Sequence, residues 1–400
     1  MQRRPCWVEI STSSFEHNYR ALTQQVGDEA STAAIELLAI VKADAYGHGL
    51  SLCAPAAVRA GARWLGVTSV EEGIAARELC PSAEILVISG PFHGQGTNVL
   101  SHRLTPVVWE PWHLDELEAA VEAAGSDAGP IRVHLELDTG MSRQGADSGQ
   151  LAEILGRLGR SAALQLDGVM THLYAADESD GATTRGQLEA LGGLLENIEK
   201  AGQHATFLHV GNSAALLAGE VPKELHALCL RFDMRPMMRP GLALYGLAPE
   251  FSPSEPLRVA ELRSALQPVM TWKTQVVGVR TIEAGQTVGY NGTFVATESM
   301  RLALLAVGYA DGLKRALSNR GAVLIRGERA PMVGRISMDQ TVVDVTDIHG
   351  VGPGDEVVLL GVQGEEHISA EEHAAWAGTV SWEIFTSITA RVERRPFAAG

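Results

Sequence analysis

A chain of 400 residues exceeds what one small core serves, and its 46% hydrophobic content is ample for two domains. With 20% charged residues it is no disordered polymer, and a formal net charge of −16 at pH 7 sets it against nucleic-acid phosphates while leaving room for local sites that bind small anions. Cys6, Cys53, Cys80 and Cys229 stand far apart without CxxC or CxxH spacing, so neither a metal site nor a disulfide framework is expected, and a reducing, cytoplasmic setting is the simplest reading.

The opening MQRRPCWVEI has two arginines but no apolar stretch fit for a signal peptide, and runs such as LALLAV (302–307) are too short for a bilayer, so no membrane partner is expected. The strand WVEIS pairs with either domain on its pattern and is assigned, within 1–11, to the second. Strand candidates follow at 36–43, 64–68, 84–89, 105–109, 131–138, 165–172, 206–210 and 241–247. Between them lie stretches such as HLDELEAAVEAAG and TRGQLEALGGLLENIEKAG with helical spacing. Eight strands alternating with helices predict an α/β fold, a closed (β/α)8 barrel over 12–248. After residue 250 the segments TWKTQVVGVRTI, RLALLAVGYADG, GAVLIRGERAPMVGRI and DEVVLLGV are short, β-rich and glycine-punctuated. They predict a mainly antiparallel β domain over 249–400 with one helix near 370–378.

Several strand ends carry chemistry. The apolar strand of IVKADAYGHG (40–49) ends in Lys42, and barrel enzymes place reactive groups at such ends. A lysine entering an apolar pocket loses proton affinity, which suits it for a Schiff base; on its own it reads more readily as a lysine snorkelling to solvent. In HLELDTGMSRQG (134–145), His134, Glu136 and Asp138 share one strand face, with Arg143 beyond the strand as their expected partner. MTHLYAADE presents His172, HVGNSAALL offers Asn212 and Ser213 at a strand-to-helix turn suited to phosphate, and MRPGLALYGL gives Arg239, Gly241 and Leu242. The second domain contributes VGYNGTF with Tyr290, VGYADGLKR with Tyr309, VGRISMDQTVVDVT with Met338 and Asp339, and SWEIFTSITARV with Trp382.

In this collinear order, over nearly the whole chain, these segments resemble the alanine racemases. The resemblance implies pyridoxal 5'-phosphate held by Lys42, with Tyr46, Arg143, His172, Asn212, Ser213, Arg239, the Gly241 and Leu242 N–H groups, and Trp382 around it. It implies two catalytic bases, Lys42 for the D-enantiomer's proton and Tyr290 for the L-enantiomer's, with His172 hydrogen-bonded to the tyrosine. Arg239 faces the pyridine nitrogen, and Arg143 and the Met338 N–H receive the substrate carboxylate, supported by Asp339, with Tyr309 at the entrance. A homodimer with shared active sites and a part in making D-alanine as a peptidoglycan precursor follow from the same resemblance. Two departures stand out. Glu136 replaces a carbamylated lysine and is expected to be an anion paired with Arg143, and Trp382 replaces a phosphate-contacting tyrosine beside the side-chain pocket, which leaves serine open as a rival to alanine. A non-catalytic carrier of the cofactor would have no purpose for Tyr290 or the Ser337–Asp339 segment.

Overall fold

The computed structural model describes residues 4–27, 34–125 and 129–397; residues 1–3 and 398–400 of the expected terminal ranges lie outside them. The chain forms two compact units, one of residues 13–45 and 53–267, the other of residues 1–12, 46–52 and 268–400.

The first strand, β1 (Cys6–Ser11), belongs to the second unit. The first unit is a closed barrel of parallel strands: β2 (Glu36–Ile40), β3 (Trp64–Val67), β4 (Glu84–Val87), β5 (Thr105–Val108), β6 (Ile131–Glu136), β7 (Leu164–Met170), β8 (Phe207–His209) and β9 (Arg235–Met238). Closure comes from the parallel pairing of β2 with β9, Glu36 opposite Met237. Such strands are covered on both faces, which is why ELLAI and WLGV read as unbroken apolar runs. Inside the barrel space is short: a Cβ at Gly66 would lie 2.4 Å from Leu38 Cδ2. The helices carry their own start signals, as where Asp147 accepts the N–H groups of Gly149 and Gln150 at the head of Ser148–Leu158.

Seven barrel strands lie where the sequence predicts them; the eighth does not. The predicted segment 241–247 is a 3-10 turn, Leu242–Tyr245, and the barrel closes instead through Arg235–Met238. RPMM is short and proline-bearing, so the more apolar LALY drew the assignment. Its tyrosine does serve the barrel, since Tyr245 OH donates to the Ile40 carbonyl at 2.9 Å.

In the second unit the long strand β10 (Met270–Ile282) pairs antiparallel with β1, with Met300–Leu305 and with Glu356–Gln363. The strand Glu393–Phe397 lies parallel to β1 on its other side. The expected helix spans Ala370–Ala377, followed by a second, Ser381–Thr386. No helix among the described residues is long and apolar enough to cross a membrane.

Candidate active site

The barrel strands are parallel, so the residues following β2, β6, β7, β8 and β9 gather at one mouth. Lys42 opens the turn after β2, where Ala43, Asp44, Ala45 and Tyr46 all have φ between 51° and 54°. Non-glycine residues in this left-handed region cost about 1–2 kcal/mol each, so the surroundings must hold them there. Ala45 N–H donates to the Val41 carbonyl, and Ala43 N–H donates to Glu72 Oε1 at 2.7 Å. Glu72 Oε2 accepts from Thr68 N–H at 2.8 Å, so one carboxylate ties the turn to the end of β3. Burial pushes the Lys42 ammonium below its ordinary pKa; Arg143 and Arg239 push the same way, against Glu72. Sequence reading misses Glu72 because Ser69-x-x-Glu72 is the signature of a helix cap, and Ser69 does cap that helix.

Arg239, just past β9, is buried. Its Nη1 donates to the His209 carbonyl at 2.6 Å, and its Nη2 to the Thr171 carbonyl at 2.7 Å. Nη2 also lies 3.4 Å from His172 Nδ1. Burial lowers the guanidinium to about 10, with Glu136 opposing, so it is charged at neutral pH. Burial, then Arg239, Arg143 and Lys42, lower His172 to about 3, which makes its ring neutral.

Asn212 caps the helix Ser213–Ala218, accepting from Ala215 N–H at 3.1 Å. Ser213 Oγ accepts the Gly241 N–H at 3.0 Å and the Ala243 N–H at 3.1 Å, which joins the ends of β8 and β9. Its own hydroxyl proton and the Leu242 N–H, at the start of its 3-10 turn, are donors available to an anion. Ser213→Ala is expected to strand two buried N–H groups, at about 1–3 kcal/mol in urea unfolding, and to weaken phosphate-bearing ligands. An unchanged unfolding midpoint would refute this role.

In the second unit, Tyr290 follows Gly289 in a turn where Asn291 has φ 62°. Asparagine tolerates that conformation better than most side chains, which suits it to this position. Tyr290, Met338 and Tyr309 are exposed, at 68%, 53% and 41%. The loops bearing Tyr309 and Met338 interlock: Tyr309 N–H donates to the Ser337 carbonyl and Ala310 N–H to the Met338 carbonyl. Beneath them Asp311, fully buried, accepts from Gly308 N–H at 2.8 Å and pairs with Arg391 at 2.9 Å and Arg4 at 3.1 Å. Arg391 reaches on to Asp339 at 2.8 Å, and Arg4 donates to the Asp339 carbonyl. Asp311 lies within a motif read for its tyrosine, and only its burial between two loops reveals it.

Residues 10–249 match the family model "Alanine racemase, N-terminal domain", and residues 269–396 match "Alanine racemase, C-terminal domain". The chain belongs to the alanine racemase family. An alanine racemase of Symbiobacterium thermophilum is 42% identical over 98% of this chain and 97% of its own, and one of Sorangium cellulosum is 37% identical over 98% of each. The solved alanine racemase of Streptomyces lavendulae superposes with a TM-score of 0.87 at 33% identity, covering 100% of this chain and 98% of that one. That of Bartonella henselae, solved with covalently bound pyridoxal phosphate, gives 0.81 at 28% identity over 98% of this chain and 99% of its own. Alanine racemases are pyridoxal-phosphate enzymes, and the donors around Lys42 and Ser213 have the chemistry such a cofactor requires.

One expectation for this racemase changes on the structure. Glu136 is not paired with Arg143: its carboxylate accepts from Gln144 Nε2, and no ion pair joins it to Arg143 among the described residues. Arg143 stands in the exposed loop beyond β6, while Gln144 turns back toward the strand. Burial raises the Glu136 carboxyl, against Gln144, Arg239 and Arg143. The folded state therefore keeps a proton that the unfolded state releases, and stability falls as pH rises above the ordinary glutamate value. Glu136→Gln is expected to melt above wild type at pH 8 and with it at pH 4; a lower melting temperature at pH 8 would restore the obligate anion. Trp382 lies on Ser381–Thr386, half-exposed. It is Phe385 of that helix that packs on the Tyr46–Gly49 turn, 4.8 Å from the His48 ring, and a Cβ at Gly47 would lie 2.4 Å from the Phe385 carbonyl oxygen.

Proposed function

We propose that this chain interconverts L- and D-alanine by two-base proton transfer, Lys42 working on one face of the α-carbon and Tyr290 of a second copy on the other. The observation that carries it is Lys42 itself: a depressed amine at a strand end of a full-length alanine racemase match, at the same barrel mouth as Arg239 and the Ser213 donors. Pyridoxal phosphate, when bound, supplies the electron sink that acidifies the α-proton. Lys42 would hold the cofactor and, released by the substrate's amino group, take or return that proton on its own face. Ser213 and Leu242 would hold the phosphate, with Asn212 capping the Ser213 helix, while the Gly241 N–H expected there is instead spent on Ser213 Oγ; the Tyr46 phenol, pushed by burial up to about 12, would add a neutral donor. Four of the five guanidinium N–H groups of Arg239 face His209, Thr171 and His172, which leaves Nε–H for the pyridine nitrogen. A permanent cation there donates without giving up its proton, which discourages side reactions. Neutral His172 would hydrogen-bond the tyrosine, and Arg143 and the Met338 N–H would take the substrate carboxylate, with Asp339 bracing Met338 and Tyr309 lining the entrance.

The exposed Tyr290, Tyr309 and Met338 support a homodimer in which each β unit completes its partner's site. Four free, buried cysteines support a reducing cytoplasm, and D-alanine for peptidoglycan is the product use that fits. The purified enzyme is expected to absorb visible light, to lose that band on borohydride reduction with the label on Lys42, and to lose at least about a thousandfold in kcat on Lys42→Ala. Label on another lysine would overturn the assignment.

A further inference from the structure

Two fully buried histidines in the barrel take no part in the reaction above. His134 on β6 and His209 at the end of β8 meet with Nδ1 and Nε2 at 2.8 Å. His209 Nδ1 lies 3.3 Å from Arg239 Nη1, and His134 Nε2, without a hydrogen-bond partner among the described residues, faces Asp167 Oδ2 at 3.8 Å. Proton positions follow from donor chemistry. A guanidinium only donates, so His209 Nδ1 accepts. Burial holds both imidazoles neutral, so the single proton of His209 sits on Nε2 and points at His134 Nδ1. His134 Nδ1 therefore accepts, and its own proton sits on Nε2, toward Asp167. Burial alone would raise the Asp167 carboxyl, but His134, Thr206 and Arg132 outweigh it and hold it below the usual carboxylate range. Every donor thus points from the Arg239 cation to the Asp167 anion. The other arm obeys the same rule: Arg239 Nη2 donates toward His172 Nδ1, so the His172 proton sits on Nε2. Space for the relay is built in, since a Cβ at Gly168 would stand 2.5 Å from His134 Nδ1.

We propose that Asp167 and His134 are positioning residues that, through His209, fix which donors of Arg239 are committed inward and which one faces the cofactor. The proposal rests on reading the barrel mouth as the cofactor site, yet its first test does not depend on activity. Two-bond proton–nitrogen spectra of the holoenzyme labelled with 15N-histidine should show the Nε2–H tautomer for His134, His209 and His172. A proton on Nδ1 of either His134 or His209 overturns the relay, whatever the enzyme turns over. His134→Leu removes the acceptor of His209 and should disturb the His209 signature. It should also shift the visible band and lower kcat about tenfold, the equivalent of one buried hydrogen bond, with the alanine KM within about twofold. Gly168→Ala keeps every polar group but crowds His134 Nδ1, and it should reproduce both changes if His134→Leu does not fold. A holoenzyme of either variant with unchanged kcat, band and His209 tautomer refutes the positioning role. A wild-type protein that shows the tautomers but does not racemise alanine overturns the proposed activity and leaves the relay standing.

Discussion

Co-expressed Lys42→Ala and Tyr290→Ala chains are expected to recover about a quarter of wild-type activity, although each variant alone is nearly dead. Each homodimer lacks one proton-transfer group in every site, so one enantiomer's proton can be removed but not exchanged to the other face. If Tyr290 serves the partner's Lys42, a heterodimer holds one site with both groups intact and one with neither. Random mixing makes about half the dimers mixed, and half their sites work, which gives roughly a quarter. Tagging the two chains differently and purifying through both tags should raise the value to about half. Activity no greater than the homodimers' in the doubly purified sample would mean that Lys42 and Tyr290 act within one chain.

Asp311→Ala is expected to cost about 3 kcal/mol of stability, the usual scale for removing one member of a buried ion pair. The loss has identifiable parts: Gly308 N–H loses its acceptor, and Arg391 and Arg4 lose the carboxylate they share. Because both arginines are partly exposed, water recovers some of their solvation, so the figure sits at the low end of the range for buried pairs. Asp311→Asn keeps an acceptor for Gly308 and should lose about half as much in urea unfolding. Both variants free the loops of Tyr309 and Met338, so the KM for alanine should rise before kcat falls. A wild-type unfolding midpoint for Asp311→Ala would show that the two loops hold without the clamp.

The fold was legible because parallel barrel strands are buried on both faces and announce themselves as apolar runs between amphipathic helices. Among the barrel strands only RPMM escaped, because the more apolar LALY a few residues further on drew the assignment. Residues at strand ends, such as Lys42, His172 and Ser213, could be named in advance because strand ends are few, whereas Arg239 gained its strand end only when Arg235–Met238 proved to be the eighth strand. What stayed hidden depends on contacts across the chain. Glu72 reads as a helix cap until Ala43 N–H is found on it, and Asp311 reads as a turn residue until two arginines close over it. Glu136 shows the reverse: the side chain that meets it is Gln144, from the loop beyond β6.

The pairing of β1 with β10 and with Glu393–Phe397 has a consequence for how the protein is made. Trp7 must find Lys273 on one side and Glu393 on the other, so the sheet cannot finish until nearly the whole chain has been synthesised. The barrel strands, by contrast, are complete once Met238 has emerged from the ribosome. Synthesis from the amino end therefore lets the barrel fold while β1 waits, its edges unpaired, for more than 250 residues. That interval is when β1 is open to a chaperone or to a second nascent chain. A ribosome stalled just before Glu393 should display a finished barrel tethered to an unfinished sheet.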